Sequence, residues 1–399
     1  MSDIPHTSTQ LIHHAYEPPA GFQAVQPGIH KASTVIFPNV AALRSRDWKH
    51  KTGYTYGLHG TPTTFTLEER IATLEGGKFC TLAPSGLAAV VLVDMAFLKA
   101  GDELLIPDNA YGPNKAFAHA ELTSWGISFQ FYDAMNPADL AAKLSRKTRL
   151  VWLEAPGSVT LEFPDLPALV AVVKAHNQTA EQSHPLGSIT ALDNTWGAGL
   201  AFNAFTLGAD VSVQALTKYP SGGADVLMGS VVTNDEALHH LVHFCHMRVG
   251  YGVSGNDAEL VLRGLNTMAL RYAAQDAATR QLALWLQRQP QIAAVLHPAL
   301  PGSPGHAVWQ RDCSGAACLL SAVFKPEFTQ QRIDRFCDSL RLFRLGYSWA
   351  GPMSLCAPYD VPAVRTTPWP HHGGLVRFSV GLEAVADLQA DLAQALEKA

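Results

Sequence analysis

From residue 79 to residue 233, short apolar runs alternate with segments whose apolar positions recur at helical spacing. The runs are Phe79 to Ala83, Glu103 to Pro107, Ile127 to Tyr132, Leu150 to Glu154, Ile189 to Asp193, Val211 to Ala215 and Leu227 to Val232. Between them, helices are predicted from Ala83 towards Ala100, near Lys115, over Pro137 to Leu144 and over Leu166 to Lys174. Near-continuous apolar strands separated by helices are the pattern of a sheet covered on both faces, so a doubly wound α/β unit with a mostly parallel sheet is expected. Ahead of it, Thr66-Leu67-Glu68-Glu69 has the form of a capping box. A helix is predicted from there through Leu74, ended by Gly76-Gly77. Residues 1–60 are rich in Pro, Gly and His, show little periodicity, and are expected to form an arm against a neighbouring subunit. Beyond residue 254 a long helix (Asp257 to Gln287) precedes strands at Ala317 to Phe324 and Leu375 to Val380, with helices at Gln330 to Leu340 and from Glu383. The expected division is therefore an arm (1–60), an α/β domain (61–254) and a smaller α+β domain (255–399).

Composition narrows the partners. A chain of 399 residues exceeds the ~250 to 300 at which single cores stop growing. Its 47% hydrophobic and 16% charged residues imply extensive burial, part of it between subunits, so an oligomer is expected. A formal charge of -5 offers no general attraction to nucleic acid or anionic lipid. A small-molecule partner is expected instead. The best apolar stretch, around Leu87 to Leu98, is interrupted by Asp94 and Lys99 and falls short of the ~18 residues a membrane span requires. The first 30 residues lack the layout of a secretory signal, and six cysteines without C-x-x-C spacing fit a reducing cytoplasm.

Ligands of open parallel sheets bind beyond the carboxyl ends of the strands, which directs attention to polar residues that terminate apolar runs. Four places qualify. Ser85-Gly86-Leu87 joins a strand to an apolar helix, where backbone N–H groups could hold a phosphate or simply form an N-cap with a glycine turn. Asp193 closes the run from Ile189 and could pair with a pyridinium N–H, or serve as a turn aspartate. Lys218 follows the run from Val211 and could form a Schiff base if desolvated, or snorkel to solvent. Arg377, inside Val376 to Val380, could clamp a carboxylate, or face solvent from an edge strand. Together they make up the protein groups that a phosphate-bearing, ring-nitrogen cofactor and an amino-acid substrate require.

Asp193-Asn194-Thr195-Trp196, Ala215-Leu216-Thr217-Lys218-Tyr219, Tyr56-Gly57-x-x-Gly60-Thr61-Pro62-Thr63 and Val376 to Glu383 resemble the Cys/Met-metabolism family of fold-type I pyridoxal-phosphate (PLP) enzymes. Glu154-Ala155-Pro156-Gly157-Ser158-x-Thr160 and Tyr347-Ser348-Trp349-Ala350-Gly351 are similar to the bacterial β-lyase branch that splits cystathionine into homocysteine, pyruvate and ammonia. The resemblance implies that Lys218 carries the PLP and acts with Tyr111 in catalysis. It further implies that Asp193 pairs with the ring nitrogen, Tyr111 stacks on the ring, and Gly86, Leu87 and Thr217 hold the phosphate with Tyr56 of an adjacent subunit. Arg377, Trp349, Ser348 and Ser158 would bind the substrate, and a homotetramer with shared sites is implied. Other chemistry of the family, γ-elimination, γ-replacement or β-elimination from other S-substituted cysteines, stays open, as does a non-catalytic PLP-binding homologue.

The chain departs from the family at Leu58, where an arginine that reaches phosphate is usual, and at Gly222-Gly223-Ala224-Asp225 and Pro352-Met353. His59, Arg70 or the arm are the candidates to replace that arginine. His239, His240, His243 and His246 share helical spacing and could ligate a metal, but an ordinary polar helix face explains them and no metal is expected. Cys313 and Cys318 are expected to pack in a core.

Overall fold

The computed structural model describes residues 7–13, 20–21, 24–51, 53–179 and 185–399. The chain begins with two short helices, α1 (Thr7–Gln10) and α2 (Val40–Arg44), followed by α3 (Pro62–Glu75). The alternating region then runs β1 (Phe79–Ala83), α4 (Gly86–Phe97), β2 (Glu103–Pro107), α5 (Gly112–Phe117), β3 (Ser128–Tyr132), α6 (Pro137–Lys143), β4 (Thr148–Glu154), α7 (Leu166–Thr179), β5 (Ile189–Asp193), β6 (Val211–Ala215), β7 (Gly229–Thr233) and α8 (Glu236–Val249). These strands form one seven-stranded sheet in the order β1-β7-β6-β5-β4-β2-β3. Its ladders are parallel except where β7 runs against β1 and β6. The doubly wound α/β expectation is met.

Strand alternation explains how both faces are covered. On β4, Leu150 and Trp152 join the cluster packed under α4 and α8, whereas Val151 and Leu153 join the cluster that includes α3, α7 and the next helix, α9 (Gly255–Leu286). The chain continues through β8 (Ile292–Leu296), α10 (His306–Asp312), β9 (Leu319–Phe324), α11 (Gln330–Ser339), β10 (Arg344–Leu345), β11 (Leu355–Tyr359), α12 (Val361–Val364), β12 (Leu375–Ser379) and α13 (Val385–Leu396). Its five strands form a second sheet, β10-β11-β12-β9-β8, over a third apolar cluster with α11 and α13.

Two expectations need correction. The first long helix starts at Pro62, not at Thr66: Thr61 is the extended N-cap, its side chain accepting from Thr64 N while Thr64 Oγ1 accepts from Thr61 N. Proline at the first helical position has its φ already set and no N–H to leave unpaired, which makes this the stronger start signal. The second sheet also contains strands that the pattern did not reveal, among them β11. Pro358 within it argues against a strand, but β10 pairs only Leu355 and Cys356, so the missing N–H costs no ladder bond on that side. Parts of the predicted arm, residues 1–6, 14–19, 22–23 and 52, lie outside the described residues.

Candidate active site

Three parallel strands deliver their last residues to one place. β4 ends in Glu154 and β5 in Asp193, which are register partners, and β6 ends three residues before Lys218. Ser85 caps α4, accepting from Ala88 N at 3.0 Å. The following N–H groups, of Gly86 and Leu87, stand at the open first turn, where no intrahelical acceptor exists. Across the gap, β12 carries Arg377 between β11 and β9. All of these residues line a cavity of about 960 Å³, with Tyr111, Ser158, Thr217, Trp349 and Tyr359 also in its wall. A cavity of this size at the carboxyl ends of a parallel sheet suits a cofactor together with a small substrate.

Burial sets the charge pattern. Lys218 Nζ donates to Ser348 Oγ at 2.8 Å and lies 5.4 Å from the Trp349 ring centre. Desolvation, with the Arg377 charge second, pushes its amine down to about 8, so a sizeable neutral fraction exists near physiological pH. Desolvation also raises the Asp193 carboxyl above its ordinary value, although Thr195 N donates to Oδ1 at 3.0 Å. Glu154 is pushed up further, first by burial and then by the Asp193 charge beside it. Two carboxyl groups side by side cannot both ionise cheaply, and Glu154 is the one pushed further towards holding its proton. Its Oε2 accepts from the Tyr111 N–H at 2.7 Å and so fixes the start of α5.

Arg377 is 5% exposed; its guanidinium lies over the Tyr359 ring at 5.2 Å, and its hydrogen bonds go to carbonyls, Nη1 donating to Ser158 O and Nη2 to Tyr347 O, each at 3.1 Å. Among the described residues it has no carboxylate partner within ion-pair distance. A buried cation so placed is matched to an incoming anion.

The residues present fit PLP. A Cβ on Gly86 would stand 2.5 Å from Ala215 Cβ, so the α4 backbone approaches β6 as closely as only glycine permits, which presents the N–H groups of the turn to the cavity. The donor set supplies the rest: an amine, a carboxylate suited to a ring nitrogen, and an aromatic ring, Tyr111, in the wall.

Of the residues picked out in the sequence, Lys218, Asp193, Gly86, Leu87, Tyr111, Thr217, Ser158, Trp349 and Arg377 come together here. Ser348 joins through its bond to Lys218. The Thr217 hydroxyl is occupied, accepting from Met228 N at 3.1 Å and donating to Met228 O at 3.3 Å. Tyr56 does not line its own chain's cavity; it is 47% exposed and packs edge-on to His59. Arg70 is spent inside the fold on Leu11 O, Leu262 O and Asn266 Oδ1 and cannot replace the arginine missing at Leu58. Glu154 was overlooked as a site residue, and so was Asp108, which follows β2 and accepts from Thr366 N and Thr367 N in the cavity wall. Both carry the signal that found Asp193, an acid at the end of an apolar strand.

The chain matches the family model for the Cys/Met metabolism PLP-dependent enzyme over residues 8–397. It is 41% identical to the cystathionine beta-lyase of Bordetella avium, covering all of both chains. It is 36% identical to cystathionine beta-lyase MetC of Escherichia coli (strain K12), covering 96% of each. Among solved structures, that of metB from Corynebacterium glutamicum superposes with a TM-score of 0.88 at 28% identity over 98% of both chains.

Proposed function

The chain belongs to the Cys/Met-metabolism family of PLP-dependent enzymes, and from that premise we propose that it breaks the Cβ–S bond of L-cystathionine, giving homocysteine, pyruvate and ammonia. The observation that carries the reading is the pairing of a lysine amine held near neutrality with a buried arginine that has no acidic partner, in one cavity. PLP, when bound, supplies the electron sink for charge left on the substrate's α-carbon. Lys218 would hold it, with Asp193 against the ring nitrogen, Tyr111 over the ring, and Gly86, Leu87 and Thr217 about the phosphate.

In this reading Arg377 takes the substrate α-carboxylate through the guanidinium hydrogens not given to Ser158 and Tyr347, and Trp349 walls the same pocket. The neutral Lys218 amine, steadied by Ser348, removes the α-proton and later returns a proton to the departing sulfur, with Tyr111 the second group placed to do so. Asp193 stays anionic because Glu154 keeps the shared proton. Keeping the ring nitrogen protonated is an electrostatic contribution aimed at charge that develops during reaction.

We infer a three-part organisation divided near residues 60 and 254, and a cytoplasmic homotetramer in which Tyr56 and the arm serve a neighbouring site. Supporting the assembly, Tyr56 is half-exposed and does not line its own cavity, and Val25, Ile36 and Val40 of the arm are more than half exposed. Among the described residues no helix is long and apolar enough to cross a membrane.

The test is the keto acid released from L-cystathionine by the PLP-loaded enzyme. Pyruvate is expected. 2-Oxobutyrate would move the assignment to γ-elimination, and no keto acid from cystathionine but pyruvate from another S-substituted cysteine would change the substrate.

A further inference from the structure

The histidines of α8 divide into two sets. His239, His243 and His246 are buried and stack in a column that begins on Phe79, with ring centres 4.8, 5.6 and 6.1 Å apart. His243 Nε2 donates to Trp48 O at 3.2 Å and His246 Nε2 to Tyr251 O at 2.7 Å. They are packing residues of the fold, not the polar surface that their spacing suggested. His240 turns the other way. One turn before it on the same helix stands Glu236, and across from it stands His50, whose ring is 5.5 Å away and nearly perpendicular.

We propose that His50, Glu236 and His240 form a binding site for a divalent transition-metal ion of the zinc class. One ligand atom from each lies within 4.8 Å of the other two. Zinc bonds of ~2.0 to 2.2 Å in a tetrahedral arrangement bring ligand atoms to roughly 3.4 Å from each other, a closure that rotation of these solvent-facing side chains can supply. Two imidazoles and one carboxylate suit zinc, nickel or copper better than magnesium or calcium.

Two features pre-arrange the set. Asp47 Oδ2 accepts from His50 Nδ1 at 2.7 Å, which puts the proton on Nδ1 and the lone pair on Nε2, the orienting carboxylate–histidine arrangement of metal sites. The segment that carries His50 is pinned to α8 without any ion, because the Trp48 carbonyl takes the His243 bond and its ring packs on Phe244 at 5.3 Å. The ion would therefore cross-link residues 47–50 to the start of α8 at little ordering cost. The remaining coordination positions face solvent, so water would complete the shell and the affinity would be moderate.

The test is calorimetric titration of Zn²⁺ into metal-stripped, tag-free holoenzyme. Expected are one saturable ion per chain, at least about tenfold weaker binding in both His50→Ala and His240→Ala, and about tenfold weaker binding in Asp47→Asn. His371→Ala/His372→Ala, a change at another histidine pair, should leave the affinity unaltered. Absence of saturable binding, or binding that survives unchanged in both His50→Ala and His240→Ala, overturns the site. Because these residues are at the surface, circular dichroism of each variant should match the parent, and a variant that fails this check is replaced by Glu236→Gln, for which the same weakening is expected.

Discussion

The two sheets contribute to the cavity in opposite ways. The large sheet brings acids and the amine: Asp193 and Glu154 stand at the ends of adjacent strands, with Lys218 just beyond a third. The small sheet brings a buried cation, Arg377, with no acid paired to it among the described residues. Proton-handling groups thus sit on parallel strand ends, whose spacing the hydrogen-bond ladder fixes. The anchoring group sits in the middle of an antiparallel strand and faces the first set across the gap. The sheets meet directly through Lys218 and Ser348, which follows β10. Such a division lets one side act on bonds while the other decides which anion is held, so substitutions on the two sides should have different kinetic signatures.

That expectation gives the largest effects. Lys218→Ala should lower kcat for pyruvate release by about 10⁴-fold or more, since loss of a positioned acid–base group alone accounts for 10² to 10⁴ and the covalent attachment is lost with it. Arg377→Ala should act mainly through KM, reducing kcat/KM roughly a thousandfold, about 4 kcal/mol, as expected when a buried carboxylate loses its charged partner. Steady-state kinetics on both variants, with circular dichroism to confirm folding, separates the two. Equal losses in kcat from the two changes, or near-normal turnover by Lys218→Ala, would erase the distinction between the sheets.

A smaller effect concerns the energetic burden of the large-sheet side. Unfolded, the Lys218 amine has its ordinary value of 10.5, whereas the fold holds it at about 8. Between these values the unfolded chain binds a proton that the folded chain does not, so stability rises with pH through the window. Below about pH 8 both states are protonated and the cost is constant. At about 1.4 kcal/mol per unit, cofactor-free protein should gain about 3 kcal/mol from pH 8 to pH 10.5 relative to Lys218→Met, which cannot titrate there. Urea unfolding of the two proteins at both pH values measures it. Parallel behaviour of the two would mean that the amine is solvated in the fold.

The contrast between the sheets also explains what the sequence disclosed. Strands buried on both faces are short apolar runs, and five residues from Ile189 to Asp193 announce both the strand and the acid that ends it. The same signal was present at Glu154 and Asp108 but carried no family motif that assigned them a role. The small sheet was harder to see. β11 contains a proline, and its antiparallel ladder depends on partners 16 to 24 residues away that local periodicity does not encode. The register of β12, which turns Arg377 inward, is likewise a tertiary property. On α8 the spacing of the histidines was legible, but which of them face inward depends on where Phe79 and Trp48 pack against the helix.

The smallest effect falls on Glu154, the acid of the large sheet that burial pushes up further. A protonated Glu154 needs only to remain an acceptor for the Tyr111 N–H, a bond of 2.7 Å that positions the ring wall of the site. Glutamine has the same length, keeps a carbonyl oxygen for that bond and is neutral at every pH. Glu154→Gln should therefore change unfolding stability by less than about 1 kcal/mol at pH 4, where the glutamate is largely protonated both folded and unfolded, while Glu154→Ala, which strands the backbone donor, should cost about 1 to 3 kcal/mol there. From pH 4 to pH 7 the unfolded chain gives up the Glu154 proton while the fold keeps it, so the parent loses stability that the glutamine variant retains, and the variant becomes the more stable of the two at pH 7. If Glu154 instead ionised at its ordinary value in the fold, both states would lose the proton together and the difference between the two proteins would not change with pH. Urea titrations at the two pH values distinguish these outcomes, and a gain of the glutamine variant over the parent on going from pH 4 to pH 7 is the result that leaves Asp193 as the anion of the pair.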